Sequence, residues 1–179
     1  SNAATLTVQA APVFAGGELG HVASFLESYW TFDEAPNDIV KDQSPNAPQH
    51  DGELRGGAAI TSGNQGFGGS GEALDTSAEE NAHMLALQPE LYNFNESFTW
   101  SIMVKIFEPA AEGEEAGAGI FARAPAETGH NHGSKVLYLN GDTLGFDTGW
   151  VGAVNSDEPN LSLDSWHHVA MVNDADEGV

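Results

Sequence analysis

With 179 residues, 27 acidic against 5 basic side chains and a formal charge of -22, the chain is long enough for one sizeable core. Its surface is too negative to suit a phosphate backbone or an anionic lipid face. It contains no cysteine, which excludes disulfide staples, thiolate zinc sites and cysteine nucleophiles, and no run approaches the roughly 20 apolar residues of a membrane helix.

Ser1-Asn2-Ala3 reads as the scar of a cleaved expression tag. Residues 4–22 read as a linker or an N-terminal strand: Thr5-Leu6-Thr7-Val8-Gln9 alternates polar and apolar side chains, whereas 10–20 is linker-like. Residues 21–28 are the one helix-like piece, too short to be more than a turn or two. From there glycine recurs with Asn, Asp, Ser and Pro every ten or so residues, a spacing that predicts many short strands joined by turns. Strands are expected at 29–32, 58–61, 72–75, 83–87, 98–107, 119–123, 135–140, 143–147 and 166–172.

The clearest is 98–107. Phe98, Trp100, Ile102, Val104 and Ile106 share one face, and Thr99, Ser101, Met103, Lys105 and Phe107 the other, so the first face belongs in a core. Segments 36–52, 109–117 and 124–134 read as loops. The fold class this implies is all-β, and no internal repeat is present.

Four stretches, taken in order, resemble the laminin G-like, concanavalin A-like jelly-roll family. They are Tyr29-Trp30-Thr31-Phe32-Asp33-Glu34, then Asp42-Gln43-Ser44-Pro45-Asn46 with His50-Asp51-Gly52, then Ser97-Phe98-Thr99-Trp100-Ser101-Ile102-Met103-Val104-Lys105, and Ser165-Trp166-His167-His168-Val169-Ala170-Met171-Val172. The resemblance implies a two-sheet antiparallel jelly-roll sandwich over 23–179. Two departures stand out. Pro45 replaces a usual glycine and Ala47-Pro48-Gln49 widens the turn; and the family continues beyond the Trp-His-His strand, so closing strands are expected to be missing. The edge left open would then be covered by the 5–9 segment or by pairing with another chain, giving an oligomer.

Calcium is the inorganic cofactor the residues allow: Asp33, Asp42, Asn46 and Asp51 offer oxygen ligands. The same residues also serve as turn formers without a metal. His130-Asn131-His132 lacks a third ligand at metal spacing. His167 and His168 point to opposite faces of a strand, His168 with Trp166 and Ala170, where a buried hydrogen bond is expected.

For a sugar, the useful residues are Trp150, in a turn after Asp147, with Asn155 close in sequence, and Tyr92 beside Phe94. The alternative is that these aromatics seal a sheet edge. Catalysis finds no support: a retaining glycosidase needs two carboxylates about 5–5.5 Å apart, which related glucanases carry in a Glu-x-Asp-x-Glu type strand absent here. The resemblance therefore implies a secreted or cell-surface, non-catalytic recognition module for a glycan or an extracellular protein. A structural spacer without a ligand is the alternative.

Overall fold

The computed structural model describes residues 6–9, 26–33, 35–45, 50–79, 81–88, 90, 92, 94–110, 118–124, 132–156 and 161–176. These form twelve strands: β1 (Leu6–Gln9), β2 (Ile39–Val40), β3 (Gly52–Arg55), β4 (Ala59–Ile60), β5 (Leu74–Asp75), β6 (His83–Ala86), β7 (Phe98–Ile106), β8 (Ala118–Arg123), β9 (Lys135–Asn140), β10 (Thr143–Asp147), β11 (Ala153–Asn155) and β12 (Trp166–Asn173). The architecture is all-β with several antiparallel sheets, and among the described residues the helical content is confined to short 3₁₀ turns. The chain divides into two compact units, one of Thr7–Val104 with Trp166–Val179, the other of Ser1–Leu6 with Lys105–Ser165.

The larger unit holds a five-stranded sheet in the order β12-β7-β1-β5-β4 and a three-stranded sheet in the order β2-β3-β6. The alternation read from β7 appears directly as burial: Trp100, Ile102 and Val104 are buried, and Thr99 and Ser101 between them are exposed. Met103 departs from the pattern, being buried as well, so β7 is covered on both faces at its middle. β12 follows the same rule with Val169 and Met171 inside and His168, Ala170 and Val172 outside. His168 does hold a hydrogen bond, Nε2 to Ser101 Oγ at 2.8 Å, but on the exposed face rather than in the core.

The N-terminal alternation becomes β1, an interior strand of its own sheet, with Val8 opposite Leu74 and Thr7 opposite Asp75 on β5, and β7 on its other side. By contrast, 29–32 is not a strand. The Tyr29 N–H donates to the Asp42 carboxylate, not to a neighbouring backbone, and Phe32 takes a left-handed φ of 60 that breaks any extended run. Residues 26–28 are not helical. Short β2 and β3 were not expected; they pair Ile39 with Glu53 and Val40 with Gly52, and β3 continues onto β6 through Gly52–Ala86 and Arg55–His83.

The smaller unit carries one four-stranded sheet, β11-β10-β9-β8. Register places Leu137 opposite Phe146, and Leu139 opposite Leu144. Leu137, Leu139 and Phe146 are buried on one face of this sheet, and Leu161 and Ala110 are buried as well. The segments that bring those last two residues in are tied to the β9–β10 turn by backbone bonds, Leu161 N–H to Asp142 C=O at 2.8 Å and Ala110 N–H to Gly141 C=O at 3.1 Å. The opposite face carries Val136, Tyr138 and Asn140 on β9, Thr143, Gly145 and Asp147 on β10, and Ala153 and Asn155 on β11.

Candidate functional site

Two clusters, one in each unit, contain Asp42, Asp51 and Tyr92 in the one and Asp147, Trp150 and Asn155 in the other. In the larger unit the Asp42 carboxylate is 3% exposed and accepts four hydrogen bonds. Oδ1 takes the N–H groups of Tyr29 (2.9 Å) and Ser44 (2.8 Å); Oδ2 takes the His50 N–H (2.8 Å) and the Ser44 hydroxyl (3.1 Å). A carboxylate offers about four lone-pair positions, so all are used in holding the loop together. Asp51 extends the arrangement: its Oδ1 accepts the Asp42 N–H at 3.1 Å and its Oδ2 pairs with Lys41 Nζ at 2.5 Å. Burial pushes the Asp51 carboxyl up, but the bonds from Lys41 and from the Asp42 N–H, with the Lys41 charge, outweigh it and hold the group below its ordinary value.

Asp33 lies apart from this network, its carboxylate accepting the Glu72 N–H at 3.3 Å. Asn46 lies outside the described residues. Among the described residues no group of three or more His, Asp or Glu gathers as a ligand set. Asp33, Asp42 and Asp51 thus do not fit a calcium shell, because Asp42 and Asp51 already spend their oxygens on N–H and O–H donors.

Beside this loop runs an internal row of rings. His50, 1% exposed, stacks on Tyr92 with centroids 4.0 Å apart and planes at 22°. Tyr92 stacks on Phe94 at 5.4 Å, and Phe94 meets Phe98 and Trp100 edge-on at 5.1 and 5.7 Å. Trp30 closes over the loop by donating its indole N–H to the His50 carbonyl at 2.8 Å. The Tyr92 hydroxyl bonds the Ser28 hydroxyl, and burial, then the charges of Asp42 and Glu27, push the phenol up despite that bond. The structure thus makes Tyr92 a packing residue, part of a stack in which each such pair adds about 0.5–1.5 kcal/mol beyond area burial.

In the smaller unit the remaining three candidates lie on one hairpin. β10 and β11 pair Gly145 with Asn155, Phe146 with Val154 and Asp147 with Ala153. Asp147 and Asn155 therefore share a sheet face as diagonal neighbours, a spacing of about 7–8 Å between backbones. The turn beyond them is closed by Val151 N–H to Thr148 C=O at 3.0 Å and Thr148 N–H to Gly152 C=O at 3.1 Å. Trp150 is the third residue of that turn and has φ 65, the left-handed conformation that glycine or asparagine takes there. It is 79% exposed, and so is Val151.

Tyr138, which pattern reading passed over as an ordinary strand residue, belongs to the same face. It stands opposite Gly145 on β10 and donates its hydroxyl proton to Asn155 Oδ1 at 3.2 Å, reaching across the intervening strand. A Cβ on Gly145 would run into the Tyr138 ring. On the other side of Tyr138 stands Gly119 of β8, where an added Cβ would meet open space. No protein-family model, curated protein or solved structure matches the chain.

Proposed function

We propose that the chain is a non-catalytic recognition module that binds a glycan at the β10–β11 hairpin, with Trp150 as the stacking platform and Asp147 and Asn155 as hydroxyl-reading groups. The observation that carries this reading is Trp150 itself. A large indole held in solvent forgoes the burial that would stabilise it by roughly 1.5–3 kcal/mol as an apolar side chain, and its left-handed backbone costs about 1–2 kcal/mol more. Strain of this kind collects where side chains serve binding. An exposed aromatic face beside an amide and a carboxylate suits a pyranose, whose CH groups stack while its hydroxyls donate and accept.

The resemblance of four ordered stretches to laminin G-like jelly rolls supports the same reading. It is the basis for proposing a jelly-roll sandwich topology and a secreted or cell-surface location. Two of those stretches form the adjacent strands β7 and β12, and a third forms the loop tied by Asp42.

The test is affinity electrophoresis of the full chain through gels containing laminarin, xylan or galactomannan, with Trp150→Ala alongside. Retardation in one of these gels, lost in the variant while its melting temperature is kept, is the expected result. Unretarded migration in every gel would overturn the reading in favour of a structural spacer.

A further inference from the structure

We infer that Tyr138 is a positioning residue for Asn155, and that the face it organises selects an uncharged sugar chain by reading one hydroxyl as acceptor and another as donor. This deepens the glycan-binding reading and rests on it. The strand register puts Tyr138, Gly145 and Asn155 in one line across three strands. Gly145 is the middle of that line, and its missing side chain is what allows the phenol to lie across β10 and reach β11. Once Asn155 Oδ1 accepts the Tyr138 proton, the amide orientation is set and its NH₂ becomes the group presented to a ligand. Asp147, two residues along the same face of β10, presents carboxylate oxygens, which accept. The pair is therefore complementary to two hydroxyls on one ring.

Charge and relief fix the class. The described residues of this face include one carboxylate, Asp147, and no Lys, Arg or His, and the whole chain carries -22. A uronate or sulfated glycan would meet the charge of Asp147 and the negative field of the whole chain. Across the strands Tyr138 faces glycine on both sides, Gly119 on β8 and Gly145 on β10, with Val136 and Asn140 flanking it along β9 and Ala122 and Ala153 further out on the same face. Gly119, Ala122 and Ala153 are exposed. A shallow floor of this kind, closed at one end by the Trp150 turn, suits an extended polymer in which several sugar units lie along the sheet.

Two measurements separate this inference from the reading beneath it. The first needs no ligand: the side-chain ¹⁵NH₂ order parameter of Asn155 by NMR, in the full chain and in Tyr138→Phe and Gly145→Ala. A rigid amide in the parent and a mobile one in both variants is expected; the same rigidity in Tyr138→Phe would overturn the positioning role. The second is titration with oligosaccharides of two to six units from laminarin, xylan and galactomannan, with alginate oligomers as the anionic comparison. Expected are affinity that rises with length for a neutral series, no binding of alginate, loss in Trp150→Ala and about a tenfold weakening in Tyr138→Phe at unchanged melting temperature, which corresponds to about 1.4 kcal/mol. Full affinity in Tyr138→Phe with loss in Trp150→Ala would overturn this inference and leave glycan binding standing. Tighter binding of alginate would overturn the selectivity, and no binding of any series would overturn both.

Discussion

The Asp42 carboxylate accepts the backbone N–H of His50 at 2.8 Å, and the same two oxygens hold Tyr29 and Ser44, so one buried side chain joins three stretches of backbone. Replacing Asp42 by Ala orphans the N–H groups of Tyr29, Ser44 and His50 together. With about 1–3 kcal/mol for each buried donor left unpaired, Asp42→Ala should cost roughly 3 kcal/mol or more, read as a fall in the denaturant midpoint. Asp42→Asn keeps the shape but turns an NH₂ toward donors and should fall between. Because the oxygens are occupied by these donors, EDTA should leave the parent's melting temperature unchanged; a drop of several degrees on chelation would restore calcium to this loop.

The Asp51 carboxyl is held below its ordinary value, so its contribution is present above its unfolded pKa and is lost as pH falls through the lower, folded one. Acid unfolding should therefore include a limb that Lys41→Met flattens, because the variant loses the Lys41 bond and charge and keeps only the Asp42 N–H bond against burial. The measurement is stability in urea from pH 6 down to pH 2. Equal acid slopes in parent and variant would contradict the pairing.

Tyr92 behaves oppositely. Its phenol is pushed up, chiefly by burial, so its contribution is intact below the unfolded value near 10 and is lost as pH rises toward the folded one. Alkaline titration should show loss of near-ultraviolet dichroism above about pH 10, blunted in Tyr92→Phe. Tyr29, pushed up by burial and then by the Asp33 charge, titrates on the same side and sets the remainder.

Trp150→Asn exchanges an aromatic for a residue at ease in the left-handed region. If the indole is kept for binding, this variant should be as stable as the parent or more so, by up to about 1–2 kcal/mol, while losing all retardation on polysaccharide gels. A variant that is clearly destabilised would mean that Trp150 packs against its own unit.

Deleting residues 1–10 removes β1 from between β7 and β5. The two halves of the five-stranded sheet then lose their shared partner. The trimmed chain should melt well below the full one or self-associate in light scattering through the edges it exposes. Identical melting and mass would mean that β1 contributes nothing to the sheet.

Strands such as β7 and β12 were legible because one face is buried and the other is wet over part of its length, Thr99 and Ser101 on β7 and His168, Ala170 and Val172 on β12, which writes alternation into the sequence. β11 has no such signature: all three of its residues are exposed, so nothing marks an apolar face. Residues 29–32 looked like a strand because they are aromatic and β-branched, but their backbone answers to Asp42, thirteen positions from Tyr29, and side chain-to-backbone bonds leave no periodic trace. The turn that holds Trp150 was legible from the Asp147-Thr148-Gly149 run before it. Tyr92 and Tyr138 were not distinguishable beforehand, since one is defined by a ring stacked on distant His50 and the other by a glycine on the facing strand. Both facts depend on register, which composition does not carry.

The interior place of β1 also sets an order of events. Val8 meets Leu74, and the strand's other neighbour begins at Phe98, so its partners are separated from it by most of the larger unit. Closing loops of that length costs entropy before any ladder forms, and chains dominated by such pairings fold on the scale of milliseconds to seconds. Until β1 inserts, the facing edges of β5 and β7 stand open. During refolding the concentration of protein, more than its temperature, should then decide how much reaches the native state, since a neighbour's β1 fits the same slot.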